Sequence, residues 1–351
     1  MRSRILAASL ISLALVPLAL LAPALRAQEA PSPSGPPPAS DAPAPMQNDT
    51  DAPTINVEVN LVDIYFSARD KDGFITTLAK SDCSLLEDKV PQTVKNFTQE
   101  KNLPLTIGIL LDTSGSQMNV LPLEKESGAT FLRQVLTPKD EAFLISFDIN
   151  VDLLADYTNR ASDISHAMNK AQINTGAGTG SVTGNGNPRG TLLYDAVYLA
   201  AHDKLTQEAG RKIIVMLTDG GDQGSQETLK TATEAAQKAN TIIYVILIAD
   251  RQFYNGGGFG INLADSGARD MDQLARDTGG RLINVGHDGR KLEDAFNQIQ
   301  EELRTQYRLS YYSTNKKADG TYRKLDLTCG KNLKVQARKG YYAISGDASS
   351  N

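Results

Sequence analysis

The chain has no tryptophan, only three histidines and two cysteines, and five prolines after residue 54. Each shortage excludes something. Two Cys cannot frame a disulfide-rich mini-scaffold, and with three scattered His they cannot build a Cys-rich zinc module. No two His stand at the H-E-x-x-H spacing of a zinc protease. Positive charge is also short: 36 Lys+Arg against 41 Asp+Glu leaves −5, so the electrostatic footprint for wrapping nucleic acid is missing. What is present is 40 % apolar residues over 351 positions, enough for substantial cores and a length of roughly two domains. The polar chemistry left to such a chain rests on oxygen ligands.

The chain divides by composition. Arg2 and Arg4 precede an apolar run from Ile5 to Ala22, broken by Pro17, and Leu25-Arg26-Ala27 closes it with a small residue. This order reads as a secretory signal over residues 1–27, the alternative being an uncleaved membrane anchor. Cleavage leaves a chain without a membrane span, exported to the periplasm, the cell surface or the medium. Eight of the fifteen prolines fall between Pro31 and Pro53, so residues 28–53 read as a flexible Pro/Ala-rich linker.

Residues 54–103 alternate apolar and polar positions around turns at Lys71-Asp72-Gly73 and Glu87-Asp88-Lys89, a β pattern. Residues 104–305 change character. Continuous apolar runs at Ile107–Leu111, Ala142–Phe147, Ile213–Leu217, Ile242–Ile248 and Leu282–Val285 alternate with amphipathic helical patterns. These fall at Leu123–Val135, Asp163–Ile173, Leu193–Leu205, Thr228–Ala239, Met271–Thr278 and Leu292–Tyr307. Apolar strands separated by helices predict a doubly wound, mainly parallel sheet, with Val151–Ala155 as an antiparallel edge. Residues 306–345 return to β pattern at Tyr307–Tyr312, Tyr322–Thr328 and Leu333–Tyr342. The simplest assembly is an α/β domain inserted between the two halves of one small β-domain. Cys83 and Cys329 lie in opposite halves; in an exported protein the pair reads as a disulfide stapling them, the alternative being two buried thiols.

The chemistry concentrates at strand ends. Ile107–Leu111 runs directly into Asp112-Thr113-Ser114-Gly115-Ser116, and Ile213–Leu217 into Thr218-Asp219-Gly220-Gly221-Asp222. In an open α/β sheet, ligands are met beyond the carboxyl ends of the strands. Between these runs, Gly190-Thr191-Leu192 opens a helix after a long polar loop, where Thr191 could also serve only as its N-cap. Asp195 and Asp222 stand nearby as candidate outer groups. Gly-rich stretches flank the same edge. Asn174–Gly190 does not fit a phosphate cradle, which must follow a strand and open a helix, and reads as a mobile loop beside the site. Asn255–Gly260 follows the Ile242–Ile248 strand as a second rim. Phe253, Tyr254 and Phe259 are either contact residues or covers for the sheet end.

With these residues the chain resembles the von Willebrand factor type A (VWA) family over about 200 residues, Leu105 to Leu303. The D-x-S-x-S of that family's metal-ion-dependent adhesion site (MIDAS) stands here as Asp112, Ser114 and Ser116, with Thr191 matching its loop threonine and Asp219 its last-loop aspartate. The flanks, with Asp72-Gly73, Gln306-Tyr307 and Gly340-Tyr341-Tyr342, resemble exported bacterial VWA-related proteins of acidobacterial type, although Cys83 replaces an expected aromatic. The resemblance implies Mg²⁺, Mn²⁺ or Ca²⁺ held by Asp112, Ser114, Ser116, Thr191 and Asp219, and a protein partner whose Asp or Glu completes the shell.

Enzyme signatures are missing. Ser114 occupies the glycine of an aspartic-protease D-T-G and the second Asp of a dehalogenase-type phosphatase, and no G-x-S-x-G elbow or P-loop occurs. His166, His202 and His287 stand alone. The sequence therefore reads as an interaction module and not as an enzyme, with a metal-stabilised structural component of the envelope as the alternative and a metal-assisted hydrolase behind it.

Overall fold

The computed structural model describes residues 61–101, 103–174, 190–248 and 260–344. The signal and linker segments, most of the Asn174–Gly190 stretch, and Phe253, Tyr254 and Phe259 lie outside them. No described helix is long and apolar enough to cross a membrane.

Strands β1 (Leu61–Arg69), β2 (Cys83–Glu87), β3 (Val90–Pro91) and β4 (Val94–Gln99) come first. Asp88 and Lys89 turn the β2–β3 hairpin at positive φ, 48° and 70°. The α/β core then follows as β5 (Leu105–Asp112), α1 (Leu121–Val135), β6 (Glu141–Phe147), β7 (Val151–Thr158), α2 (Ala161–Lys170) and α3 (Leu193–Tyr198). It continues through β8 (Arg211–Thr218), α4 (Leu229–Lys238), β9 (Thr241–Ile248), α5 (Gly260–Thr278), β10 (Leu282–Gly286) and α6 (Gly289–Thr305). The chain ends in β11 (Tyr307–Tyr312), β12 (Tyr322–Cys329), β13 (Lys334–Ala337) and β14 (Gly340–Tyr342).

The central sheet has the order β10-β9-β8-β5-β6-β7. All neighbours run parallel except β7, which pairs antiparallel with β6 at the edge. The apolar runs are buried on both faces because helices cover both. Ile107, Ile109 and Leu111 alternate onto a face closed by Phe131 and Leu132 of α1 and Phe296, Ile299 and Leu303 of α6. The opposite face meets α3, α4 and α5 through small residues, among them Ala196, Ala232, Ala235, Ala236 and Ala275. Full burial of each larger aliphatic contributes roughly 1.5–3 kcal/mol.

Both flanks join into one β-module of two four-stranded sheets, β13-β1-β11-β4 and β14-β12-β2-β3. Each sheet mixes strands from the two ends of the chain, so neither flank forms a sheet of this kind alone. Ile64, Phe66, Leu85, Tyr307, Leu309, Tyr311 and Leu325 fill the space they enclose. The chain enters and leaves the α/β core side by side, with Gln99 opposite Tyr307 and the Glu100 amide on the Gln306 carbonyl at 2.8 Å. Cys83 and Cys329 face each other across the β2–β12 pair and are joined in a disulfide. Core and module meet at Glu302 of α6, which is almost wholly buried. Its carboxylate accepts from Ser67 of β1 (2.9 Å), Tyr244 of β9 (3.1 Å), Gln336 of β13 (2.7 Å) and Arg281 (3.0 Å).

The fold class matches the expectation from the alternating pattern; three local features differ. Leu333–Tyr342 is two strands, because Arg338 and Lys339 leave the ladder and β13 and β14 enter different sheets. The third helical pattern begins as α-helix and widens to π winding over Leu199–Leu205. The helix expected at Met271–Thr278 begins at Gly260, since the polar Asn262, Asp265 and Ser266 obscure its early turns.

Candidate metal centre

The strand order reverses at β5. From there the chain runs outward through β6 and β7, and from β8 outward through β9 and β10 on the other side. A crevice opens at such a switch point, beyond the carboxyl ends of the two diverging strands. Asp112 closes β5 and Asp219 follows β8, so the topology sets both carboxylates at this crevice.

Asp112 is fully buried and Asp219 is 3 % exposed. One Asp112 oxygen accepts the Ser114 amide at 3.0 Å, and the other accepts the Thr218 hydroxyl at 2.7 Å. Burial chiefly, and then repulsion from Asp219, push the Asp112 carboxyl up to about 7, against the pull of its hydrogen bonds. The Ser114 and Ser116 hydroxyls lie 3.0 Å apart. The loop therefore presents both hydroxyls together, close to two carboxylates that disfavour each other.

Thr191 arrives from a separate loop. Its backbone exchanges two hydrogen bonds with Gln223, amide to carbonyl at 3.0 and 2.9 Å, which locks it to the loop after β8. The start of α3 is held by a different side chain, since Asp222 accepts the Leu193 and Tyr194 amides at 3.1 and 3.3 Å. Asp195, the other candidate outer group, accepts the amides of Gln226 and Glu227. Both acids hold backbone. Asp148, after β6, joins the remaining loops by accepting from Thr113 Oγ1 (2.8 Å), the Asn150 amide (3.0 Å) and Asn174 Nδ2 (3.1 Å). His166, His202 and His287 are all exposed on the surface, and His202 is engaged with Asp203 at 2.6 Å and stacked on Tyr198.

The donor set suits a hard cation. Three hydroxyls and two carboxylates are oxygen ligands of the kind Mg²⁺, Mn²⁺ and Ca²⁺ take, and Mg²⁺ in particular retains several waters. Among the described residues no three His, Cys, Asp or Glu side chains gather to hold a metal, so any ion here depends on the hydroxyls and on water.

Sequence reasoning did not find Thr218, Asp148 or Glu124. Thr218 looks like an ordinary last strand residue, and Asp148 like a turn residue. Glu124 left a signal: in α1 it stands on the stripe of Leu121, Gly128, Phe131, Leu132 and Val135, at a helical spacing that otherwise faces the core.

The loop bearing Asp219 is shaped by its neighbour. Gly220 takes φ +84°, and α5 passes so close that a Cβ on Gly267 would stand 2.3 Å from the Gly220 carbonyl oxygen. Gly267→Ala must displace that loop. We expect divalent-ion affinity, followed by isothermal titration, to fall about tenfold, the lower range for supporting residues of metal sites. An unchanged affinity would sever α5 from the centre.

The α/β core is a mainly parallel six-stranded sheet with helices on both faces. No protein-family model matches the chain, and no curated protein does. Solved structures similar to it include the protein BatB from Bacteroides thetaiotaomicron, at 16 % identity and TM-score 0.42, covering 56 % of this chain and 98 % of that one. The vWF domain of the type V pili tip protein Mfa5 from Porphyromonas gingivalis is 12 % identical, with TM-score 0.42 over 57 % of this chain and 95 % of that one. Proximal thread matrix protein 1 from the mussel byssus, with a zinc-occupied MIDAS motif, is 15 % identical, with TM-score 0.44 over 61 % and 48 %.

Proposed function

We propose that this protein is an exported interaction module that binds an acidic group of a protein partner through a divalent cation. The ion is held by Asp112, Ser114, Ser116, Thr191 and Asp219. The observation that carries the reading is the pair of buried carboxylates at the sheet's switch point, Asp112 raised by burial and by Asp219, with the Ser114 and Ser116 hydroxyls beside them.

A bound cation of this class supplies Lewis-acid attraction for a carboxylate. The chain's residues set its strength. Neutral hydroxyls provide most of the direct ligands, so little of the cation's charge is cancelled. Thr218 and the Ser114 amide hold the Asp112 carboxylate in one orientation. The Thr191–Gln223 pairing fixes the distance between the second and third loops. Met118, 55 % exposed just after Ser116, gives a partner an adaptable apolar contact beside the centre. The disulfide accords with an oxidising compartment.

An acidic peptide is the probe. Its binding to the full chain, read by interferometry, is expected with Mg²⁺, to vanish in EDTA and to stay lost in Asp112→Ala. Binding that persists after chelation would favour the second reading, in which an envelope component binds constitutively and the ion only stabilises it.

A further inference from the structure

Glu124 is the one acid on the buried stripe of α1. It is fully buried, and among the described residues neither of its carboxyl oxygens has a hydrogen-bond partner. Its charge environment comes from burial first and then from Asp112 and Asp219, both of its own sign, and together these raise its pKa well above the carboxylate range. A protonated carboxyl would donate to an acceptor, and an ionised one would accept from donors; the described residues supply neither. The positive end of α1 favours a carboxylate in this first turn, but that effect is small against the cost of complete burial. Native proteins leave few polar groups in this condition, and a water or ion outside the polypeptide is the usual partner.

Direction points the same way. Side chains in the first turn of a helix lean back toward its N-terminus, which here is Val120, joined by Met118 and Asn119 to the Ser114–Gln117 turn of the metal loop. Gln117 lies in that turn, also fully buried, with its own Oε1 unpartnered. Three orphaned polar oxygens thus lie between the end of the Asp112 loop and the first turn of α1. No three acidic side chains among the described residues converge as direct ligands, so Glu124 does not join Asp112 and Asp219 as a third direct ligand.

We propose that Glu124 is a positioning residue of the metal centre, its carboxylate accepting a hydrogen bond from a water bound to the ion, in a buried place beneath Asp112 and Asp219. The proposal rests on the reading of Asp112 and its partners as a cation site. It assigns the centre a third acid from a different element, the helix that follows the loop, so that the ion organises the start of α1 as well as the three loops.

The test is isothermal titration of MgCl₂ and MnCl₂ into the full chain, with metal-free melting temperature as second readout. Glu124→Gln is expected to weaken both metals about tenfold, and Glu124→Leu more, toward a hundredfold. Both variants should melt at or above the wild type without metal, since an unsatisfied buried acid has been removed. That opposition, better fold with poorer binding, is not produced by a merely structural residue. Metal affinity within twofold of wild type in both variants, while Asp112→Asn has lost binding, would overturn the role of Glu124 and leave the centre standing. Unaltered binding in Asp112→Asn would instead remove the centre itself. Loss of fold in both Glu124 variants would show the carboxyl to be satisfied inside the protein, and would also overturn the proposal.

Discussion

Asp112→Asn is expected to abolish the protein's thermal response to divalent cations. A ligand at a hundred times its dissociation constant stabilises the native state by about 2.7 kcal/mol. For a folded body of this size, that corresponds to a rise of roughly 4–5 °C in melting temperature. Asparagine keeps the shape and one acceptor oxygen of Asp112 but removes the charge that a cation needs, so the variant should show no rise. The metal-free proteins should differ in a second way. Asp112 in the folded chain is raised to about 7, chiefly by burial and then by Asp219, whereas an unfolded aspartate titrates near 3.9. Between these values the native state holds a proton that the unfolded chain has released. Stability of the metal-free wild type therefore falls as pH rises from about 4 to about 7 and levels above that. The Asn variant lacks the Asp112 part of this slope and keeps the part due to Glu124, which burial also raises. Metal affinity rises over the same window, because the ion must displace the proton. Scanning calorimetry across pH 4.5–8, with and without Mg²⁺, tests every part, and an equal metal-induced shift in the variant would refute the assignment.

The second large effect concerns the staple between the module's halves. Cys83 and Cys329 are 246 residues apart in sequence, and the loop they close contains the entire α/β core. Replacing both by serine is expected to cost about 2–5 kcal/mol, the range for loss of a native disulfide, because the unfolded chain regains the freedom that the cross-link denied it. Urea unfolding should show a lower midpoint together with a steeper slope, since the uncross-linked chain exposes more surface. The Mg²⁺ response should survive, because the centre lies on β5 and β8 and not on the stapled strands. Alkylation of both thiols in native, non-reduced protein would show that the bond does not form.

These expectations depend on features of unequal visibility in the sequence. The parallel sheet was legible because β5, β8 and β9 are buried on both faces, which only uninterrupted apolar runs satisfy. The candidate loops were legible because Asp112 and Asp219 follow such runs directly. Both ends of the β-module could be read as strands, but the split between β13 and β14 could not: Arg338 and Lys339 are not turn residues and do not mark a break in a continuous strand. The two cysteines left a disulfide and buried thiols equally open, since sequence does not give the register that sets Cys83 opposite Cys329. Glu124 escaped for a different reason. Beside Lys125 and Glu126 it reads as part of a charged, solvated run, and that reading masks the helical spacing that sets Glu124 on the buried stripe of α1. Asp222 was similarly ambiguous: distance along the chain places it near Asp219, while its hydrogen bonds place it under α3.

The adjacent entry and exit of the core carry a mechanical consequence. Tension applied to the two ends of the folded chain reaches β1, β12 and the Cys83–Cys329 bond before any strand of the central sheet. The covalent link short-circuits a sequence separation of 246, so the load passes across the module while the loops bearing Asp112, Thr191 and Asp219 remain unstretched. The α/β core behaves as a closed appendage on a tensile element, and its geometry is insulated from pulling along the chain.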